Sequence, residues 1–212
     1  MESLPRGRHG LSREFIAGHQ RERLLAAIAE SLEQNGFEGT TVSAISGLAG
    51  VSKSDFYRHF VGKDECFFAA YDEAVERLRD DVRDASKGRG EWAERVCAGL
   101  AAALAHLASE PAQANMLLVE GLRAGPGVYG RFQGAVASFV PCLRDGAPIE
   151  KPVGRAPEAL DEAVVGGIAS LLDRRVLAGE ADRLERFFPE VAEFALTPYL
   201  GVAEARRIIS NR

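Results

Sequence analysis

Apolar residues recur at helical spacing along nearly the whole chain, and that periodicity limits the fold more than any other feature. Leu24, Leu25, Ile28 and Leu32 make one face, and Asn35-Gly36 supplies a stop behind it. Phe67, Phe68, Tyr71, Val75, Leu78 and Val82 make a longer stripe. Trp92, Val96, Leu100, Leu104 and Leu107 make another, halted before Pro111. Met116 to Leu122 is a shorter apolar segment, and Val128, Phe132, Val136, Phe139 and Leu143 continue the helical spacing. Residues 145–157 carry Pro148, Pro152 and Pro157 and read as a loop. Leu160, Val164, Ile168 and Leu171 restart the pattern, and Leu184, Phe187, Phe188, Val191 and Phe194 follow, with Pro189 and Pro198 as kinks or restarts. No run alternates apolar and polar residues with β-branched enrichment, so no sheet is expected. The expectation is an all-α fold of roughly nine or ten helices, three short ones first and longer ones after.

The composition excludes several classes. With Lys+Arg 26 against Asp+Glu 31, the formal net charge is -5, which excludes a uniformly basic nucleic-acid binder but not a locally basic face. Residues 1–63 hold eight Lys/Arg against seven Asp/Glu, so the acidic excess falls on residues 64–212. Cys66, Cys97 and Cys142 are scattered, with no C-x-x-C spacing and no paired histidines, so neither a disulfide framework nor a metal site is expected. Arg6, Arg8 and Arg13 are not followed by the apolar run of a signal peptide, and no stretch is long enough to span a bilayer. These features predict a soluble, cytoplasmic protein that needs no cofactor and does not engage a membrane.

Residues 40–60 read TTVSAISGLAGVSKSDFYRHF. Thr41 stands where an N-cap belongs, ahead of Val42, Ile45 and Ala49. Gly50 stands where a sharp turn needs positive φ. Ser52 precedes a second short helix, with Asp55 three residues on, the spacing of a capping box with Asp in place of Glu. Phe56 and Phe60, at i and i+4, face inward, which leaves Lys53, Ser54, Asp55, Tyr57, Arg58 and His59 outside or at the margins. Capped helix, glycine turn and polar-faced second helix make a helix-turn-helix. That shape also occurs in all-α proteins that never meet DNA. If it does enter a major groove, Lys53, Ser54 and Arg58 suit base or phosphate contact. Tyr57 can offer its hydroxyl to a phosphate, and Lys63 can meet the same backbone.

Residues 22–71 resemble the DNA-binding domain of the tetracycline-repressor (TetR) family. The resemblance rests on Gly36-Phe37, Thr40-Thr41-Val42, Ala49 to Ser52, Tyr57 to Phe60 and the Lys63-Asp64 pair, in order and nearly ungapped over about a quarter of the chain. It implies that Thr41 caps the second helix and touches a phosphate. Lys53 and Ser54 then lie at the groove-facing start of the third helix, Tyr57 and His59 approach the backbone, and Lys63 anchors it. Asp55 departs from the family, which more often has Thr, Ser or Ala there. It reads either as an acceptor for cytosine N4 or as a capping residue that helps set helix geometry and disfavours wrong sequences. Arg6 and Arg8 read either as minor-groove contacts or as part of a solubilising tail. The closing segment, Phe194 to Gly201, resembles the end of one actinobacterial-type branch of the family.

Three regions are expected: a basic flexible arm (1–20), a helix-turn-helix domain (21–66) and a helical ligand-binding and dimerisation domain (67–212). The resemblance implies a dimeric regulator of transcription, a repressor, that binds a palindromic double-stranded operator and is released when an effector moves the fourth helix. Candidate effector-lining residues are Trp92, Met116, Glu120, Phe132, Val136 and Phe139. For each of them, plain core packing is the competing reading. The mainly apolar set predicts a small lipophilic or aromatic effector. The helical regions 157–179 and 182–208, together 157–208, are candidates for the homodimer surface, with Gly166-Gly167 either allowing close helix approach or marking a local weakness of the helix. Gly125-Pro-Gly-Val-Tyr-Gly130 matches G-x-G-x-x-G, but no strand precedes it, so it reads as an interhelical turn. No nucleophile–base pattern appears, and no enzyme is expected.

Overall fold

The structure, a computed structural model, describes residues 13–88, 90–123, 125–148 and 159–211. Among these, every regular element is helical and none is a strand. The chain divides into two compact units, Met1–Glu73 and Ala74–Arg212.

The first unit is built from α1 (Arg13–Gly39), α2 (Val42–Ala49), α3 (Lys53–His59) and the opening turns of α4 (Lys63–Ser86). α1 is not short. It runs for 27 residues, and residues 13–20, expected as part of a flexible arm, are its first turns. Gly18 lies inside it, at a propensity cost of about 1 kcal/mol relative to alanine. The long apolar face downstream offsets that cost, with Leu24, Ile28 and Leu32 essentially sealed from solvent. Arg6 and Arg8 fall outside the described residues. α1 breaks at Gly36, whose φ of 65° is open to glycine and strained for other residues. The break is tied down by polar groups. Asn35 Nδ2 donates to the Ser31 carbonyl at 3.0 Å, and the buried Thr40 hydroxyl donates to the Gly36 carbonyl at 2.8 Å while meeting Ser31 Oγ at 3.2 Å.

Phe37, Phe67 and Tyr71 stack around this corner, with ring centroids 5.3 and 5.7 Å apart along the series. Cys66 is sealed beside Leu24, and burial pushes its thiol up to about 12. We expect a thiol reagent at pH 8 to modify the exposed Cys142 first and to reach Cys66 and Cys97 only after unfolding. Labelling followed by peptide mapping checks this, and early modification of Cys66 would contradict it.

The second unit begins within α4 and continues through α5 (Trp92–Ser109), α6 (Pro111–Ala114), a π-helical segment (Asn115–Glu120), α7 (Gly121–Arg123), α8 (Pro126–Arg144), α9 (Leu160–Leu177), a 3₁₀ segment (Ala181–Phe187), α10 (Phe188–Leu200) and α11 (Val202–Ser210). Gly125, at φ 100°, opens α8, so the glycine-rich segment 125–130 is a helix start and not a phosphate loop. Pro189 sits in the first turn of α10, where its missing N–H costs nothing, while Pro198 lies in the last turn before Gly201 breaks the chain into α11.

Two glycines bring helices close. A Cβ on Gly99 would lie 3.0 Å from Ser86 Oγ, so α5 lies tight against the end of α4. A Cβ on Gly167 would lie 2.6 Å from the Phe194 ring, so at Gly167 α9 lies close to α10 of the same chain. No helix among the described residues is long and apolar enough to cross a membrane.

One core cluster unites Trp92, Val96 and Cys97 of α5 with Leu143, Val164, Leu196 and Tyr199. The Trp92 indole N–H donates to the Leu143 carbonyl at 2.7 Å, and its ring lies 4.9 Å from that of Tyr199. The Tyr199 hydroxyl donates to Asp161, whose other oxygen accepts from Arg144 Nε at 2.7 Å. Asp161 is buried at the start of α9, so this chain of polar contacts closes the cluster across α8, α9 and α10. Burial and the Asp161 carboxylate both push the Tyr199 phenol above its ordinary range.

Candidate nucleic-acid interface

The candidate surface is built by two short helices that would not hold alone. Isolated helices of eight and seven residues are too short to persist in water, so caps and burial must hold them. Thr41 caps α2, its Oγ1 accepting from the Ala44 N–H at 3.1 Å. Gly50 ends α2 in the left-handed conformation, φ 60° and ψ 37°, and its N–H closes onto the Gly47 carbonyl at 3.1 Å. Ser52 caps α3, its Oγ accepting from the Asp55 N–H at 3.1 Å. Ile45 and Ala49 of α2 and Phe56 of α3 fill the space behind, with Phe60 just past the end of α3.

Gly50 is required by its positive φ. An added Cβ would also lie 2.4 Å from Arg23 Nη2, the movable end of the α1 side chain that covers the turn. Gly50→Ala should cost about 1–2 kcal/mol from the left-handed backbone. A urea titration of the variant should show the midpoint falling; an unchanged midpoint would contradict the tight turn.

The polar residues then divide by exposure. Thr41, Ser52, Lys53, Ser54, Tyr57 and Arg58 are exposed, while Asp55, His59 and Lys63 are half-buried. Tyr57 is 59% exposed, unusual for an aromatic ring, and it lies edge-on to buried Phe56 with centroids 5.5 Å apart. Lys63 already has a structural task. Its ammonium donates to the Phe37 carbonyl at 2.8 Å and lies 4.6 Å from the Phe37 ring. It therefore ties the start of α4 to the corner after α1, which the sequence pattern alone did not indicate.

Asp55 is engaged on both sides. One oxygen accepts the Ser52 hydroxyl at 2.7 Å, and the other accepts Arg58 Nη1 at 3.0 Å. The Ser52 proton is then spent, so the 2.9 Å contact between Ser52 and Ser54 places Ser54 as the donor. The Asp55 carboxylate thus holds the Ser52 hydroxyl and the Arg58 guanidinium, while the backbone cap itself is made by Ser52.

The candidate effector residues are spread over several elements. Trp92 belongs to the core cluster with its indole N–H satisfied. Met116 is buried in the π-helical segment, Phe132 and Val136 are buried on α8, and Glu120 and Phe139 are half-buried. A separate open groove of about 610 Å³ is lined by Asp81, Asp84, Ala102, Ala105, His106, Ser109 and Glu185, and none of the six expected residues faces it. His106 Nδ1 meets Asp81 there at 2.6 Å. Sequence reasoning also missed Arg23 above the Gly50 turn and the Asp161–Tyr199–Arg144 contacts. Both depend on groups far apart in sequence, and neither leaves a periodic signal. No group of residues suited to hold a metal ion occurs among the described residues.

A family model described as "Bacterial regulatory proteins, tetR family" matches residues 24–70. The HTH-type transcriptional activator FasR of Mycolicibacterium smegmatis is 29% identical over 101 residues, which covers 48% of this chain and 46% of that protein. The chain thus spans about half the length of that curated relative. The structure resembles the fatty acid degradation regulator FadR of Bacillus halodurans, with a TM-score of 0.71, 15% identity and 82% of this chain covered against 97% of that one. It also resembles the FadR of Bacillus subtilis solved in complex with stearoyl-CoA, with a TM-score of 0.69, 16% identity, and 84% and 97% covered. At these identities the structural likeness shows a shared fold. The capped helices and the left-handed Gly50 turn fall within residues 24–70, the stretch that matches the tetR family of bacterial regulatory proteins.

Proposed function

We propose that the chain is a sequence-specific DNA-binding regulator of transcription that reads a palindromic operator as a homodimer through α2 and α3. One observation carries this reading. α3 buries Phe56 while turning Lys53, Ser54, Tyr57 and Arg58 to solvent, on a helix held by caps at both flanking turns. A helix so arranged can enter a major groove with polar groups on its free face. The first unit binds DNA, the second binds the effector and pairs the subunits through residues 157–208, and α4 runs through the boundary between them.

The effector is lipophilic. Met116, Phe132, Val136 and Phe139 supply apolar surface on the π-helical segment and α8, with Glu120 as a polar neighbour. The stearoyl-CoA in the Bacillus subtilis neighbour supports a long-chain acyl thioester as the first ligand to try. The regulator acts as a repressor released by that ligand. The Mycolicibacterium smegmatis relative is described as an activator, and that favours the second reading, ligand-dependent activation.

Mobility shifts and a reporter gene behind the bound site separate these outcomes. Repression predicts a shift lost on adding acyl-CoA and higher expression when the regulator is deleted. Activation predicts lower expression on deletion. Tyr57→Ala should weaken binding to all duplexes alike while leaving the slope of log K against log salt unchanged, because a neutral hydroxyl bonded to a phosphate releases no counterion. An unchanged affinity would remove Tyr57 from the backbone contacts.

A further inference from the structure

We infer that Asp55 is a specificity-determining positioning residue that holds the Arg58 guanidinium as a reader of one guanine in each half-site. The inference rests on the DNA-reading function proposed above and deepens it. Arg58 and Asp55 sit three residues apart on α3, and their side chains differ sharply in exposure, 77% for Arg58 and 26% for Asp55. The carboxylate is fixed from behind, because Ser52 donates to its second oxygen at 2.7 Å while capping the same helix. The carboxylate is thus an anchored acceptor.

Two consequences follow from the chemistry of the pair. The bond to Nη1 at 3.0 Å occupies one corner of the guanidinium. It leaves the Nε–Nη2 edge as a two-donor fork with no partner among the described residues. Such a fork matches the O6 and N7 acceptors that guanine presents in the major groove. The carboxylate also offsets the arginine charge and would repel a phosphate brought to the same place, so the pair suits a base edge better than the backbone. An unpaired arginine at the same position would be free to swing to a phosphate and bind every sequence alike. Asp55, though it shares the sign of the DNA charge, then contributes selectivity by lowering non-specific attraction.

The experiment uses a duplex selected by the full chain from a random pool, its single-base-pair variants, and competition binding at several salt concentrations. Arg58→Ala should lose discrimination at one base pair per half-site, on the order of ten- to a hundred-fold. Arg58→Lys keeps the charge without the fork and should lose the same discrimination while keeping the salt slope. Asp55→Ala leaves the N–H that Ser52 accepts, so α3 should remain capped, which circular dichroism checks. It should bind non-cognate DNA more tightly, steepen the salt slope by about one contact and lose preference at the same base pair as Arg58→Ala. Asp55→Asn, with an oxygen acceptor but no charge, should fall between.

The inference is overturned if Asp55→Ala keeps the wild-type preference at every position. It is equally overturned if Arg58→Ala weakens all duplexes equally and flattens the salt slope. If the wild-type chain selects no sequence at all, the DNA-reading function itself falls, an outcome distinct from either of these.

Discussion

Phe56→Ala is expected to abolish DNA binding while leaving residues 74–212 folded. Phe56 is fully buried and stands between the rings of Tyr57 and Phe60, with centroids 5.5 and 5.7 Å away. Truncating a buried phenylalanine costs about 3–5 kcal/mol, from lost burial and from the cavity left behind. A whole domain is stable by only about 5–15 kcal/mol, so this loss consumes much of what holds the first unit. The effect concentrates on α3, whose seven residues offer little else to bury. Hydrogen exchange should show the amides of α2 and α3 losing protection while those of α5 and α8 keep theirs. Retained protection in α3 together with wild-type affinity for DNA would show that Phe56 does not hold the reading helix.

Trp92→Ala is expected to have the matching effect in the second unit, again about 3–5 kcal/mol. The side chain fills the cluster against Tyr199, and its indole N–H satisfies the Leu143 carbonyl. Trp92→Phe keeps most of the apolar area and loses the hydrogen bond, so it should cost less, about 1 kcal/mol for the bond itself. Urea unfolding followed by far-ultraviolet circular dichroism measures both. Trp92 is the single tryptophan, so in the wild type its fluorescence reports this cluster alone. A Trp92→Ala midpoint close to wild type would mean that Trp92 lines a space open to ligand and not a packed core. This variant therefore also tests its place among the effector candidates.

The sequence made α2 and α3 more legible than the second unit. Thr41, Gly50 and Ser52 announce caps and a turn through local chemistry, because a cap is a contact between residues two or three apart. Phe56 and Phe60 show their inward face by spacing alone. The start of α1 was not legible, because Gly18 and the weak apolar pattern of residues 13–20 hide a helix stabilised from further along. The register of Asn115–Glu120 was not legible either. A π-helical turn is wider than the spacing that a 3.6-residue period reveals, and here Met116, Leu117, Leu118 and Val119 are all buried in succession.

Asp161 illustrates the limit most clearly. In sequence it is an acid in the first turn of a helix, an ordinary solvated feature. In the fold it is buried and accepts from Tyr199, 38 positions away. The net charge of -5 is an average over residues 1–63, which hold eight Lys/Arg against seven Asp/Glu, and a more acidic stretch from residue 64 onward, so it says little about the face that α3 presents.

The central claim, that α2 and α3 read DNA sequence, is tested most directly by selecting bound fragments from the organism's own genome with the full chain. The account predicts that the recovered fragments share two inverted half-sites, spaced about one helical turn or a multiple of it, roughly 34–36 Å centre to centre per turn. Recovered fragments that share no motif beyond that of the input DNA would contradict it.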